Sequence, residues 1–257
     1  MPDYQVLVWS LATGECTGRL DTPGWRLSTA CGLTDGTSRV LVGGGSGRAP
    51  LPARHSIRLH DLGAAHGGAA LAPTREYHGH TDSVRALAEV SGGRFASGSY
   101  DDTIRIWAVA SGACLATLEG HTSLVYALAS TDEHTLVSSG LEETLRVWDM
   151  RSYGCVGVIA SGLVALTLVR LAHGGVASTH QDNVVRLWDV RRCERAGELS
   201  FSCNWVRCVA LRSDGHLVSV CSDETVRVWD VAARVCVGVA RVCSMVHAMP
   251  AGEGCLV

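Results

Sequence analysis

The sequence predicts an all-β protein made of about six repeated units, each of four short strands. Three observations predict this architecture. A Trp recurs about every forty residues, at Trp107, Trp148, Trp188 and Trp229. Each of these Trp residues is preceded by an acidic residue and, further upstream, by a Ser, always at the same two spacings. Between these markers, short apolar runs alternate with turns rich in Gly and Asp, which is the pattern of strands joined by tight turns.

The clearest unit spans residues 79–107 and opens with Gly79-His80. Its predicted strands are Val84–Val90, Phe95–Ser99 and Thr103–Trp107. The opening returns at Gly120-His121, and Asp follows the other three Trp residues. This combination resembles the WD-repeat family, whose repeats form the blades of β-propellers. The resemblance covers essentially the whole chain and implies a ring of blades.

The family also implies a role for the recurring polar residues. In its repeats the Gly-His histidine, the acid, the Ser and the Trp indole form a buried hydrogen-bonded chain, in which each polar group satisfies another. The expected members are His80, Ser97, Asp101 and Trp107; His121, Ser138, Glu142 and Trp148; Ser178, Asp182 and Trp188; and Ser219, Asp223 and Trp229. The last two sets lack the histidine of the Gly-His opening. Ser, His and Asp together are also the components of a catalytic triad, but their recurrence at repeat spacing favours a structural role.

The two ends of the chain carry complementary half-repeats. Residues 3–20 correspond to a third and a fourth strand, with Ser10 in place of the usual Asp after Trp9. Residues 242–257 correspond to a first and a second strand. We therefore expect the two terminal segments to form one composite blade that closes the ring and removes its exposed edges. The alternative is that the sequence is a piece of a longer array, since seven blades are the more common number in the family.

Residues 21–77 form the most divergent unit, with His60 in the place of Trp. Its predicted strands are Trp25–Cys31, Arg39–Val42 and Ser56–Asp61. A Gly-rich insertion at 43–52 lacks the Lys-Ser/Thr ending and the following helix of a phosphate-binding loop. Nearby histidines raise the alternative of a metal site, but their irregular spacing favours none. The predicted blades are 242–257 with 1–20, 21–77, 78–118, 119–159, 160–199 and 200–241.

Composition narrows the function further. The formal net charge is −3, and all 22 basic residues are Arg. No excess of basic residues is gathered on one face, so we expect no binding of nucleic acid. Four of the 11 Cys recur at one blade position, so we predict buried thiols and no disulfide frame, metal or cofactor: Cys16, Cys114, Cys155 and Cys236. No stretch has the length and apolarity of a signal peptide or membrane span, which predicts an intracellular protein, cytoplasmic or nuclear.

Propellers of this type mostly bind proteins or peptides, so the resemblance implies a non-catalytic interaction scaffold. Residues that differ between blades at aligned loop positions are not needed by the blade and are the candidate ligand surface. These residues are Trp25, Asp82, Tyr100, Ser123, Leu141, Gln181, Asn204, Trp205 and Arg207. The alternative for Trp25 and Trp205 is that both fill the core.

Two further functions stay open on the sequence. Trp148-Asp149-Met150-Arg151 and Trp188-Asp189-Val190-Arg191 resemble the box of WD-repeat substrate receptors of cullin-4 ubiquitin ligases. In that box the Arg contacts the adaptor protein, so Arg151 and Arg191 are candidate adaptor-binding residues, or they cap a turn. A propeller hydrolase is the second alternative, disfavoured by the lack of a Gly-x-Ser-x-Gly nucleophile motif between a strand and a helix.

Overall fold

The fold begins with a hairpin and continues as a series of antiparallel sheets. A computed structural model describes residues 4–9, 16–22, 26–45, 55–64, 71–200, 206–241, 249–251 and 254–256. The opening hairpin pairs β1 (Tyr4–Trp9) with β2 (Cys16–Thr22). The first blade contains β3 (Arg26–Gly32), β4 (Arg39–Gly45), β5 (Ile57–Asp61) and β6 (Arg75–Tyr77), with a single 3₁₀ turn at Leu62–Ala64.

Four more blades follow with the same strand order. The second contains β7 (Val84–Val90), β8 (Arg94–Ser99), β9 (Ile104–Ala108) and β10 (Cys114–Leu118). The third contains β11 (Val125–Ser130), β12 (Thr135–Gly140), β13 (Thr144–Asp149) and β14 (Gly154–Ala160). The fourth contains β15 (Thr167–Arg170), β16 (Val176–Thr179), β17 (Val184–Asp189) and β18 (Glu194–Ser200).

The fifth blade contains β19 (Val206–Leu211), β20 (Leu217–Cys221), β21 (Thr225–Asp230) and β22 (Val235–Arg241). A second hairpin pairs β23 (Met249–Ala251) with β24 (Gly254–Leu256). The first strands of successive blades contact one another, and β23 contacts both β19 and β3. The inner strands therefore run around a ring, which confirms the predicted all-β propeller.

The predicted number of six four-stranded blades is wrong for the described residues, where five sheets have four strands. The terminal hairpins β1–β2 and β23–β24 are separate two-stranded sheets. Each strand of the second hairpin has three residues, and Pro250 in β23 has no backbone N–H to donate to a ladder. The second hairpin nevertheless contacts both β19 and β3, where the composite blade was expected to close the ring.

The core lies between the blades. One apolar cluster joins the first blade to Phe95 and Trp107 of the second, and the next joins the second blade to Val125 and Trp148 of the third. The same arrangement continues through the fourth and fifth blades. A Cβ on Gly98 would lie 2.6 Å from Cγ1 of Val125, so a small residue in β8 lets neighbouring blades approach closely.

The fourth strand of each blade is its outer edge, and this position corrects the prediction of buried thiols. Cys16, Cys114, Cys155 and Cys236 are all exposed, because a fourth strand is covered by its own blade on one side only. Each of these thiols donates to the backbone carbonyl two residues later. By contrast Cys31, Cys208 and Cys221 lie in inner or second strands and are buried.

In the third, fourth and fifth blades a residue in the left-handed backbone region contacts the preceding blade. In the turns between third and fourth strands, Tyr153, Cys193 and Arg234 have φ of 57°, 54° and 57°. The Cys193 thiol occupies the space that a Cβ on Gly157 of the preceding blade would need, and Arg234 donates to the Ala196 carbonyl at 2.8 Å. The small residues of the outer strands therefore serve as sockets for the next blade.

Candidate binding site on the loop face

The second blade contains the complete hydrogen-bonded chain expected from the sequence. Nδ1 of His80 is 2.8 Å from Oδ2 of Asp101, and Nε2 is 2.7 Å from Oγ of Ser97. The Trp107 indole donates to the same hydroxyl at 2.8 Å. Burial alone would raise the pKa of Asp101, but hydrogen bonds from His80, Thr103 and the Thr81 N–H outweigh it and lower the pKa. The carboxylate is therefore ionised and holds the loop above the first strand.

The third blade has the same chain with Glu in the acid position. His121 contacts Glu142 through Nδ1 and Ser138 through Nε2, the latter at 2.6 Å, and the Trp148 indole donates to Ser138 at 2.8 Å. Burial lowers the pKa of His121, partly offset by Glu142. A longer acidic side chain thus reaches the imidazole from the same backbone position.

The fourth blade obtains its imidazole from a different position. Trp188 donates to Ser178 at 2.7 Å, and Nε2 of His180 lies 2.7 Å from that hydroxyl. His180 is fully buried and follows β16, whereas the usual histidine precedes the first strand. With the usual histidine missing, Asp182 accepts from Arg186 at 3.1 Å. The repeat pattern does not reveal His180, because this residue lies outside the Gly-His position.

The fifth blade keeps the Trp and Ser pair. The Trp229 indole donates to Ser219 at 3.0 Å. Asp223 accepts from Thr225 at 2.5 Å and from Arg227 at 3.3 Å. In both blades without a Gly-His histidine the acid therefore binds the Arg two residues before the Trp. In the second blade this Arg contacts the Cys114 thiol, and in the third it contacts the Cys155 thiol and also lies 3.8 Å from Glu142.

These chains fix the loops at one end of the ring. This end carries the loops between fourth and first strands and between second and third strands, and we call it the loop face. The Tyr100 N–H donates to the Ser83 carbonyl at 3.0 Å, and the Leu141 N–H donates to the Leu124 carbonyl at 2.9 Å. Each bond joins one type of loop to the other. The two sets of aligned loop residues predicted from the sequence are therefore neighbours.

A β-bulge at the start of the first strand adds a third set of residues. The register shifts between Val84 and Ala86 and again between Val125 and Ala127, so Arg85 and Tyr126 are the extra residues. Ser28 and Arg207 are the extra residues of β3 and β19. A bulge redirects a side chain without changing the rest of the strand, and bulges are common beside functional sites.

Arg85 connects three blades at this level. Its Nη1 donates to the Ser28 carbonyl of the first blade at 3.2 Å, and its Cζ lies 5.6 Å from the ring centroid of Tyr126 in the third. The rings of Tyr100 and Tyr126 have centroids 6.2 Å apart. Burial raises the pKa of Tyr100; Tyr126 adds to the rise and Arg85 opposes it. We call these three residues the Arg85 cluster. They form an aromatic and cationic patch that is partly buried.

The other predicted partner-binding residues are distributed around this cluster. Asp82 and Gln181 are exposed, Ser123 is partly buried, and Leu141 is 42% exposed despite its apolar side chain. Trp25, Asn204 and Trp205 lie outside the described residues, as does the side chain of Arg207. Arg85 and Tyr126 were not among the predicted residues. A signal for them is present in the sequence, since the residue after the first Val of the inner strand varies between repeats and is Arg85, Tyr126 or Arg207.

The two candidate adaptor-binding residues occupy matching turns. Asp149 accepts the N–H of Arg151 at 3.1 Å, and Asp189 accepts that of Arg191 at 3.0 Å. The turn is thus capped by the Asp carboxylate, and not by the Arg side chain as the sequence alternative had it. Both Arg residues are exposed.

Other features of the described residues lie apart from the Arg85 cluster. A cleft of about 410 Å³ opens between β14 and the fourth blade, beside Val158 and Cys193. The described part of the chain contains no group of three or more His, Cys, Asp or Glu residues placed to hold a metal ion. His60 is buried with Nδ1 3.2 Å from the Leu71 carbonyl. No helix in the described ranges is long and apolar enough to cross a membrane.

Comparison with known proteins agrees with the repeat and the fold. Residues 71–108, 112–149 and 195–230 match the family WD domain, G-beta repeat. These matches and the ring of blades show that the chain is a WD-repeat β-propeller.

Several curated proteins are similar to parts of the chain. The DENN domain and WD repeat-containing protein SCD1 of Arabidopsis thaliana is 28% identical over 161 residues, which are 63% of this chain and 10% of that protein. The CCR4-associated factor 4 homolog of Candida glabrata is 29% identical over 124 residues, 46% of this chain and 19% of that protein. A ribosome biogenesis protein BOP1 homolog of Drosophila virilis is 50% identical over 44 residues, 17% of this chain and 6% of that protein. The chain therefore spans less than a fifth of the length of these relatives.

Proposed function

We propose that this propeller is a non-catalytic scaffold that binds a protein or peptide on its loop face. The observation that carries the proposal is the Arg85 cluster, where Arg85, Tyr100 and Tyr126 meet at the boundary of two blades. Tyr and Arg dominate the energetics of protein interfaces. The buried hydrogen-bonded chains hold the surrounding loops, so the patch is preorganised and a partner loses little entropy in ordering it.

The exposed Leu141 beside this patch supports the same face. Its backbone is tied to Leu124, so an apolar side chain that is 42% exposed is held in place and not collapsed onto the core. Apolar and aromatic residues on one face are typical of the centre of a protein interface, where charged residues are depleted. The face is thus suited to a protein surface or an extended peptide.

Site-specific photo-crosslinking tests the proposal. A photoreactive amino acid at Leu141 should capture a partner in cells of the source organism, whereas the same group at Val237 on the outer strand of the fifth blade should not. Val237 is a matched control because it is also an exposed apolar residue, at 54%. The Tyr100→Ala/Tyr126→Ala double variant should lose the Leu141 product. Capture from Val237 alone, or from neither position, would contradict binding on the loop face.

A second candidate function is that of a substrate receptor in a cullin-4-type ubiquitin ligase. It is favoured by the exposed side chains of Arg151 and Arg191, which project from equivalent turns whose caps do not need them. Affinity purification of wild type and of the Arg151→Ala/Arg191→Ala variant tests this candidate. Recovery of the cullin adaptor with the wild type only would support it, and absence of the adaptor from both would leave the scaffold proposal alone. An intracellular location remains a prediction, checked by microscopy of the tagged chain.

A further inference from the structure

The Arg85 guanidinium is partly buried at the loop face and has no carboxylate partner in the described part of the chain. Some partly buried Arg residues pair with carboxylates, as Arg58 does with Glu76 at 2.9 Å and Arg227 with Asp223 at 3.3 Å, whereas Arg94, at the opposite end of the ring, contacts carbonyl and hydroxyl oxygens. Arg85 contacts the Ser28 carbonyl and the face of Tyr126, and among the described residues no carboxylate lies within 4 Å of it. Its positive charge is therefore held in place without being neutralised.

The carboxylates on the neighbouring loops already accept hydrogen bonds. Asp101 is bound by His80 and Thr103, and the exposed Asp82 accepts the Ser83 N–H at 2.6 Å. A guanidinium has five N–H donors, and the Ser28 carbonyl and the Tyr100 hydroxyl engage two of them. The remaining donors of Arg85 are available to a planar or tetrahedral oxyanion.

The tyrosines discriminate between ligand classes. A pair of aromatic rings at an interface is suited to a cation, such as a Lys or methylated Lys side chain. Here the protein's own guanidinium already lies over the Tyr126 ring, so a second cation would meet both an occupied ring and a like charge. An anion would instead gain a charge-assisted hydrogen bond from Arg85.

We infer that the Arg85 cluster receives an anionic side chain of the partner, a carboxylate or a phosphomonoester carried by an extended peptide. This inference rests on the proposed function and specifies the chemistry of its ligand. Arg85 bonds the oxyanion, and the methylene groups that carry it pack against the exposed edges of Tyr100 and Tyr126. Since the cluster joins three blades, the anchored residue lies at the inner edge of the loop face and its neighbours extend over the loops.

Degenerate peptide pools test the charge preference directly. Four pools are identical mixtures except for one fixed central residue, which is Glu, phosphoserine, Gln or Lys. Each pool is passed over the immobilised whole chain, and the retained fraction is measured. We expect the Glu or the phosphoserine pool to be retained about tenfold more than the Gln and Lys pools, and the stronger of the two identifies the oxyanion.

Variants assign the preference to Arg85. Arg85→Gln should abolish it, and Arg85→Lys, which keeps the charge but loses the fork of donors, should keep a reduced preference. The matched control is Arg212→Gln, which removes one positive charge at the opposite end of the ring, where Arg212 pairs with Asp214 at 2.9 Å. Melting temperatures of the three variants establish that each is folded before binding is compared.

The outcomes separate this inference from the proposed function. Equal retention of all pools, or preference for the Lys pool, overturns the anionic ligand. If that binding is lost in Tyr100→Ala/Tyr126→Ala, the loop face still binds peptides and the proposed function survives. Retention of no pool, or a preference that persists in Arg85→Gln, also overturns the inference, whereas the Leu141 crosslink decides the proposed function independently.

Discussion

Nε2 of His180 lies 2.7 Å from Oγ of Ser178, two residues earlier in the chain. The imidazole thus reaches the same hydroxyl that the Gly-His histidine reaches in the second and third blades, but from the end of the second strand. Among the described residues no carboxylate binds the ring of His180, so this histidine differs from the other two in its electrostatics. Burial, with a contribution from Arg186, lowers its pKa from the ordinary 6.5 to about 4.

This shift predicts a dependence of stability on pH. Between about pH 6.5 and 4 the unfolded chain has a protonated His180 while the folded chain does not, so the unfolded state binds more protons and stability falls as pH falls. The slope attributable to one such group is at most about 1.4 kcal/mol per pH unit. Denaturant unfolding of wild type and His180→Gln over this range should show a shallower dependence for the variant.

The control is His173→Gln, because His173 is exposed in the same blade. Its pH dependence should match that of the wild type. Identical slopes for all three proteins would show that His180 is not the titrating group.

The contribution of the acidic residue to the free energy of unfolding should differ between blades. Asp101→Ala leaves His80 and Thr103 without a buried acceptor and should destabilise the protein by about 1–3 kcal/mol. The aligned Asp182→Ala removes a surface pair with Arg186, in which the carboxylate is 34% exposed, and should cost at most about 1 kcal/mol. Asp82→Ala, on the exposed loop, should be close to neutral. Similar losses in denaturant midpoint for Asp101→Ala and Asp182→Ala would argue against the two hydrogen-bonding modes.

The socket on the third blade predicts a non-additive pair. Gly157→Ala places a methyl group where the Cys193 thiol lies and should cost about 1–3 kcal/mol. In a Cys193→Ala background the same change should cost much less, so a double-mutant cycle on the free energy of unfolding should show coupling. Gly238→Ala is the matched control, because its Cβ would lie 3.8 Å from the nearest described atom, in Val228. Additive effects at Gly157 and Cys193 would mean that the socket is not filled.

Thiol labelling checks the edge position of the recurring cysteines. Iodoacetamide at neutral pH should modify Cys114, Cys155 and Cys236 in the folded protein, because all three are exposed. It should spare Cys31, where burial raises the thiol pKa to about 12 and blocks access. Peptide mass spectrometry before and after denaturation gives the two patterns. Rapid labelling of Cys31 in the folded state would contradict its place in the core.

The repeat pattern predicted most of the fold. The constant distances from Ser and acid to Trp predicted strands and a buried chain, because these groups must satisfy each other in every blade. The thiols at Cys114 and Cys155 recur just as regularly, yet they are exposed. Periodicity locates a residue within a blade but does not say which strand of the blade has a neighbour on both sides.

Two parts of the site could not be predicted from the sequence, because the spacing of residues does not determine their geometry. His180 is outside the repeat frame, and only the path of the chain after β16 brings its ring to Ser178. Arg85 and Tyr126 are ordinary strand residues in the sequence, and the bulge that sets them apart is a property of strand register. The described terminal strands form two separate hairpins, because pairing depends on backbone register, which a count of half-repeats does not measure.

Because of the bulges in the inner strands, the residues that pack the blades are different from the residue that faces a ligand. The flanking positions, such as Val84 and Ala86, stay buried and keep the blades packed, while the extra residue between them is left out of the ladder. Exchanging that residue alters what the loop face presents at little cost to folding. A lineage, or an engineer, could therefore change the ligand of this ring by substitutions at Ser28, Arg85 and Tyr126 while the blades beneath remain as they are.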